Sequence, residues 1–332
     1  MKLSFVIPAY NEEGYIGTCL QAVIAQTQSL PVSSEIIVVN NASSDKTKAI
    51  ALSFPAVRVV DETRKGLSFA RQAGFMASSG EIIASIDSDS ILPKGWAETV
   101  VKEFEKDAAL AGLSGPFIYY DLPLWTNFGI RIYYYFGYIS YLFNRFIFKT
   151  SSLLQGGNTA IRRSALEKIG GYNTAFDFFG EDTDLARRLH KAGPVRFSLH
   201  LPMYSSGRRI KGEGLLTMTF KYPLNYVWTL LFKKPFHSAY QDFRTKQTTV
   251  GTFKTTTQSL RRALVSAAVI LALAVASVFG GGIYIYTQVA KLTGAQNARA
   301  DKSDSVIIQK MTPLMLRAQK TIHSFDLDSD ND

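Results

Sequence analysis

Short apolar runs and longer mixed stretches take turns along the first 120 residues. Residues 3–7, 35–39, 57–60 and 81–86 are rich in Val and Ile and read as strands. Residues 12–26, 44–53, 68–78 and 96–106 read as helices. In the first of these, Ile16, Cys19, Leu20 and Val23 fall on one apolar face. Ser43 or Ser44 is placed to open the second helix, and Pro55 closes it. Strands and helices alternating in this order predict a mostly parallel α/β sheet covered on both faces. In such sheets ligands bind at the carboxyl ends of the strands. The residues leaving those ends are Pro8 to Glu12, Asn40 to Asp45, and Asp87-Ser88-Asp89. They are polar and turn-forming, whereas the runs before them are apolar, which marks a site.

The pattern changes after residue 120. Residues 117–148 contain 14 of the 41 aromatic residues, and Arg131 and Arg145 are the only charges between Leu122 and Phe148. That mixture of Tyr, Gly, Asn and Ser with apolar residues predicts helices lying on a membrane surface, with a core insertion or a second span as alternatives. From Ala263 to Ala290 there is no charge at all. This exceeds the roughly 20 residues that cross a bilayer, so residues 263–287 are expected to form one transmembrane helix. Lys254, Arg261 and Arg262 precede it and Lys291 follows it. That bias places the preceding residues on the cytoplasmic side and the tail outside. The resulting organisation is a first half at 1–120 with the polar strand-end loops, a second half at 121–236 with the aromatic segment, a polar linker at 237–262, the span, and a polar tail at 288–332.

Composition narrows the partners. The net charge is +10, and residues 264–332 contribute nothing to it, with six Lys/Arg against six Asp. A basic amino-terminal portion suits nucleotides, phosphates or acidic headgroups. There is no basic tract and no nucleic-acid module, so nucleic acid is not expected. The single cysteine, Cys19, excludes an intramolecular disulfide or a cysteine-based zinc site and is expected to be a buried small residue. The first residues read as a strand and not as a signal peptide. Asp87 and Asp89, two carboxylates flanking one small residue past a buried strand, suit a hard cation such as Mg²⁺ or Mn²⁺ shared with a diphosphate.

Five blocks in order resemble the family 2 glycosyltransferases of the GT-A fold: PAYNE at 8–12, VVNNASSDKT from residue 38, KGLSFARQAG at 65–74, DSDS at 87–90, and GGNTAIRRSALEKIGGY…FFGEDTDLARRLHKAG over 156–193. The resemblance implies a nucleotide-sugar donor, a divalent metal and inverting transfer. Pro8, Tyr10, Glu12, Asn40, Asp45, Lys65, Arg71, Asp87 and Ser88 are then the expected donor-binding residues. Tyr10 would stack on the base and Glu12 would reach base or ribose, although a first-turn acid is the plain alternative for Glu12. Asn40 departs from the Asp that many members carry there, which leaves the base open, since an amide both accepts and donates. For Asp45 a helix-capping role competes with a donor role, and for Arg71 a solvated helix face competes with phosphate contact.

The resemblance assigns the base to Asp182, with Glu181 and Asp184 positioning acceptor or structure, and the helix N-terminus is expected to keep Asp182 ionised. Gly156, Gly157 and Asn158 are expected to line the sugar or acceptor pocket. Arg208 and Arg209 are expected on the donor diphosphate or an acceptor phosphate, unless they lie in a plain surface loop. Together these imply a metal-dependent transferase acting on a lipid-linked acceptor at the cytoplasmic membrane face. Two other readings stay open: a polyprenyl-phosphate sugar synthase, whose phosphate acceptor needs no base, and a silent nucleotide-sugar-binding membrane protein.

Overall fold

The computed structural model describes residues 1–146, 153–176 and 180–214, together with Thr229. Four strand–helix units come first: β1 (Lys2–Ala9), α1 (Ile16–Ser29), β2 (Ser33–Asn40), α2 (Thr47–Leu52), β3 (Val57–Asp61), α3 (Leu67–Ala77), β4 (Ile82–Ile86) and α4 (Trp96–Lys106). The four predicted strands and four predicted helices are all present. There follow β5 (Gly112–Ser114), β6 (Phe117–Tyr119), α5 (Leu124–Phe146), β7 (Asn158–Arg162), α6 (Arg163–Lys168), α7 (Glu181–Leu189), β8 (Val195–Phe197), β9 (Met203–Ser205) and α8 (Arg208–Glu213).

Seven strands form one sheet in the order β3-β2-β1-β4-β7-β5-β8, and β6 pairs with β9 in a second, two-stranded sheet. The pairs β1–β2, β1–β4 and β2–β3 are parallel, while β7 runs antiparallel between β4 and β5. The sheet therefore runs through both halves expected from sequence. One core lies on the α1/α4 face, around Phe5, Ile7, Leu20, Val38 and Phe104; the other, around Val6, Ile37, Phe75, Ile161 and Leu166, lies under α3, α6 and α7. Alternate residues of β1 serve opposite cores, as the two-residue period of a strand requires.

Two helix starts differ from expectation. The first helix begins at Ile16 and not at residue 12, because Glu12 to Tyr15 form a turn with Glu12 O accepting the N–H groups of Tyr15 and Ile16. In α2 the expected serine cap is absent: Asp45 Oδ1 accepts the Thr47 N–H at 2.9 Å, while Ser43 Oγ accepts the Asn11 N–H and the Ser44 N–H goes to Asn11 Oδ1. The two serines fasten the β1 turn to the β2 turn.

The aromatic window forms α5, a 23-residue helix. Ile130, Tyr134 and Tyr141 pack it against Phe197 and Ile210. Leu124, Trp125, Phe128, Ile132, Tyr135 and Ile139 are exposed, the first two above 80%. Among the described residues no helix is long and apolar enough to cross a membrane, so α5 is not the second span considered from sequence. The expected span at 263–287, the linker and the tail lie outside the described residues.

Below the sheet, Glu35 ties β2 to the turn before β4. It accepts from Ser4 Oγ at 2.6 Å, Ser79 N at 2.7 Å and Ser79 Oγ at 2.8 Å. Partial burial opposes its ionisation, but these hydrogen bonds and the Lys2 ammonium outweigh it and bring the pKa from 4.5 to about 2. A depressed carboxylate contributes stability above its unfolded pKa and loses it as pH falls through the folded one. Glu35→Gln should therefore cost about 1 kcal/mol at pH 7, allowing for solvent screening. In chemical denaturation the gap between variant and parent should close between pH 4.5 and about 2.

Candidate active site

The three predicted loops meet at the carboxyl edge of β1, β2 and β4. Asp87 and Asp89 follow β4 directly, their side chains 35% and 13% exposed. Burial raises the Asp89 pKa, Arg208 pulls it back, and Glu12 and Asp87 push it up again, leaving it at about 7. Cys19 is buried as expected, its thiol donating to Asp87 O at 3.6 Å.

Beneath the site lies Arg71, on the second turn of α3 and only 2% exposed. Its guanidinium touches three carboxylates: Glu181 in a very short ion pair, Asp87 Oδ1 at 3.3 Å, and Asp182 Oδ1 at 3.6 Å. Arg71 Nε has no hydrogen-bond partner, and neither does Asp182 Oδ1. The cluster is tight because two glycines cover it. A Cβ on Gly156 would stand 2.3 Å from Asp182 Oδ1 and 2.4 Å from Arg71 Nη1; one on Gly157 would stand 1.9 Å from Asp87 Oδ2. The expected glycine role thus becomes packing on charged side chains. Asn158 does not line a pocket: it is fully buried, accepts from Trp96 Nε1 at 3.0 Å, and donates to the carbonyls of Leu201 and Pro116.

Asp182 and Glu181 open α7 behind Gly180, whose φ of 79° suits glycine. Glu181 is buried against Arg71, whereas the Asp182 side chain is 34% exposed. Ionisation of the Asp182 carboxyl is opposed by its surroundings, contrary to the expectation. Burial of its inner oxygen and the adjacent Glu181 charge raise its pKa well above the usual range, against the pull of Arg71. Asp184 serves structure alone, pairing with Arg187 and Arg188 at 2.7 Å each.

The donor-side expectations divide. Asn40 Nδ2 donates to Asp61 Oδ1 at 2.8 Å, and because a carboxylate only accepts, this fixes the amide orientation. Asn40 Oδ1 is then an acceptor without a partner. Lys65 Nζ meets the Tyr10 hydroxyl at 2.8 Å and lies over its ring. Arg71 is too deeply buried for the expected phosphate contact. Asp45 is a capping residue, also accepting from Thr47 Oγ1 and Glu13 N. Glu12, 2% exposed, forms a fork with Arg208. Pro8, inside β1, and Ser88 are buried. Arg208 also reaches Asp89 Oδ2 at 3.0 Å and stacks over Tyr15 at 4.7 Å, so it belongs to the site and not to a plain loop; Arg209 follows half-buried.

Three supporting residues escaped sequence reasoning. Asp121 accepts from Ser206 Oγ, Gly207 N and Lys211 Nζ and so fastens the start of α8. Nothing in its sequence surroundings points to that role. Gln72 Oε1 accepts the Tyr172 N–H at 2.8 Å, and the buried Tyr172 hydroxyl, held up to about 12 by burial against the pull of Arg71, stands beside the cluster. Tyr172 ends the GGY of the last sequence block, which was the available signal.

The model for glycosyl transferase family 2 matches residues 4–170, about half of the chain. The chain belongs to this family. A second model, described as the N-terminal domain of galactosyltransferase, matches residues 144–204. The glycosyltransferase GlyA of Streptococcus pneumoniae is 32% identical over 116 residues, covering 33% of this chain and 16% of GlyA. The probable glycosyltransferase YdaM of Bacillus subtilis is 32% identical over 208 residues, covering 59% of this chain and 48% of YdaM. The chain thus matches less than half the length of these relatives. The mannosyltransferase PcManGT from Pyrobaculum calidifontis, in complex with GDP-Man and Mn²⁺, superposes with a TM-score of 0.55 at 14% identity, covering 97% of this chain and 84% of that one. This likeness supports a GT-A-like fold for the family 2 chain.

Among the described residues no three His, Cys, Asp or Glu side chains group to hold a metal alone. The donor set nonetheless fits a shared divalent ion. Asp87 and Asp89 are hard oxygen ligands, both reachable, and Asp89 already attracts a cation in Arg208. A diphosphate would supply the remaining oxygens.

Removing one partner of a buried charge cluster leaves the rest uncompensated. Arg71→Met should therefore cost about 3–5 kcal/mol in chemical denaturation. Adding Glu181→Leu should restore at least about 1 kcal/mol of that loss; a further loss on the double variant would contradict the charge argument.

Proposed function

We propose that this chain is an inverting glycosyltransferase, moving a sugar from a nucleotide-diphosphate donor to an acceptor hydroxyl at the cytoplasmic face of a membrane. One observation carries the reading: a single buried guanidinium joins Asp87, a donor-side carboxylate, to Asp182, an acceptor-side carboxylate. In-line displacement needs those two groups on opposite sides of one anomeric carbon.

Asp182 takes the proton from the acceptor hydroxyl as its oxygen bonds to the anomeric carbon. The bond from that carbon to the diphosphate breaks, and its electron pair leaves with the nucleotide. A base works best when its proton affinity approaches neutrality, and the raised pKa of Asp182 moves it that way. Asp87 and Asp89 would hold Mg²⁺ or Mn²⁺, which supplies charge neutralisation for the leaving diphosphate. PcManGT, of similar fold, is in complex with GDP-Man and Mn²⁺, in keeping with that assignment. The lone acceptor Asn40 Oδ1 favours a base that presents an N–H. Lys65 and Tyr10 flank the same edge.

A lipid-linked acceptor and a bilayer partner rest on two features. The outer face of α5 exposes six large apolar side chains in helical register, with no acidic residue on the helix. Residues 263–287 carry the uncharged composition of a single span, with the basic flank on the cytoplasmic side and the tail outside.

Detergent-purified protein should be melted with UDP, GDP, dTDP and CDP, each with and without Mn²⁺. One nucleotide should raise the Tm in a metal-dependent way, by about 2.7 kcal/mol of linkage at a hundredfold over its Kd. Asp89→Ala should abolish that shift. Asp182→Asn should retain it while transfer falls by about 10²–10⁴. Full activity in Asp182→Asn would favour a phosphate acceptor, and no metal-dependent shift with any nucleotide would remove the donor site.

A further inference from the structure

Arg208 occupies a place that the donor reading reserves for a metal. Its fork binds both oxygens of Glu12, and its Nη2 reaches Asp89 Oδ2 at 3.0 Å. Glu12 is almost fully buried and Asp89 is 13% exposed. Three anchors fix the approach of the guanidinium. Asp121 holds the N–H of Gly207 and the hydroxyl of Ser206, a Cβ on Gly207 would run into Leu122, and Tyr15 lies flat under the charge. The loop after Asp89 is in turn bonded to β9, with Ile91 N–H to Tyr204 O at 2.8 Å and Tyr204 N–H to Ile91 O at 3.2 Å. The cation is therefore built into the site and is not a wandering surface side chain.

We propose that Arg208 is a place-holding cation which makes the Asp89 site select a metal–diphosphate complex over a bare divalent ion. A bare ion meets a carboxylate that already has a positive partner, and it must break that ion pair without offering the guanidinium another. A metal–diphosphate complex offers phosphate oxygens, for which a guanidinium fork is well matched. Phosphate then takes the place of Asp89 beside the guanidinium, while Glu12 keeps the arginine from leaving. Metal and nucleotide consequently bind cooperatively, and by linkage each must raise the affinity of the other by the same factor. The inference rests on the donor-site reading, but its first test needs neither turnover nor an identified sugar.

The experiment is a Mn²⁺ titration of the nucleotide-free full-length protein, following free Mn²⁺ by electron paramagnetic resonance. Arg208→Gln should lower the Mn²⁺ Kd at least fivefold. Lys211→Gln removes an equal charge from the same helix, but Lys211 pairs with Asp121 and not with Asp89, so its Kd should stay within twofold of the parent. Glu12→Gln frees the fork to lean on Asp89 and should raise the Kd, which keeps the test decisive if Arg208→Gln fails to fold. With Mn²⁺ saturating, nucleotide diphosphate from the same four-member panel should bind Arg208→Gln at least tenfold more weakly. An unchanged or raised Mn²⁺ Kd in Arg208→Gln overturns the proposal, as does an equal gain in Lys211→Gln. Either result is read without nucleotide, so it is distinct from failure of the donor site itself.

Discussion

One guanidinium shared among three carboxylates is the constraint on which this site depends. Arg71 sits on α3, Asp87 leaves β4, and Glu181 and Asp182 open α7. These elements are distant in sequence and are brought together by the sheet and by the apolar core under α3, α6 and α7; where they meet, each brings a charge that the others must neutralise away from water. Gly156 and Gly157 follow from the same demand. They enter β7, the strand that runs antiparallel beside β4, and any side chain there would displace the charged atoms. The antiparallel strand thus delivers bare backbone to the place where the charges crowd.

The first four strands of the sheet were legible because they read as Val/Ile runs, with β1, β2 and β4 largely buried, and the strand-end loops were legible because polarity rises abruptly after them; β5, β7 and β8, set by the later half of the chain, were not read. Asp87 and Asp89 were visible for the same reason, whereas Asp182, which opens a helix, was reached through the family resemblance. What escaped was set by neighbours remote in sequence. Arg71 looks like any helix-face arginine until the loop before β7 closes over it. Asn158 looks like a pocket amide until Trp96 and two carbonyls claim it. Glu12 looks like a first-turn acid, and its true partner lies 196 residues away. Asp45 was the opposite case: the bonds the structure shows are its local ones, to Thr47 at the start of the second helix and to the adjoining turn.

Helix α5 shows why hydrophobic periodicity was ambiguous there. Ile130, Tyr134 and Tyr141 fall on the inward face and bury against Phe197 and Ile210, as an amphipathic helix requires. The outward face is also apolar, with Trp125 and Phe128 where a water-facing helix would carry charge. A helix apolar on both sides has no single period to read. Tyr content limits its hydropathy, so length alone did not make it a span. The chain accepts an exposed apolar stripe on one side of a well-packed element, an arrangement that monomers in water seldom keep without a use for it.

The charge balance of the site ties these parts together. Glu12, Asp87, Asp89, Glu181 and Asp182 bring five carboxylates, and Arg71 and Arg208 bring two cations, so the fully ionised cluster would carry three uncompensated negative charges. Packing that excess at low dielectric is costly, and burial, with the neighbouring carboxylates, raises the proton affinity of Asp89 and Asp182 against the pull of the arginines. They are also the two on which the proposed chemistry calls, Asp89 for a cation and Asp182 for a proton. A divalent ion arriving with the donor would relieve the first directly and the second through Asp87 and Arg71, because a guanidinium released from Asp87 is free to lean toward Asp182. On the proposed function, the groups that the cluster pushes toward neutrality would be the ones that ligand binding restores, which would give the substrate complex, and not the free protein, the favourable electrostatics.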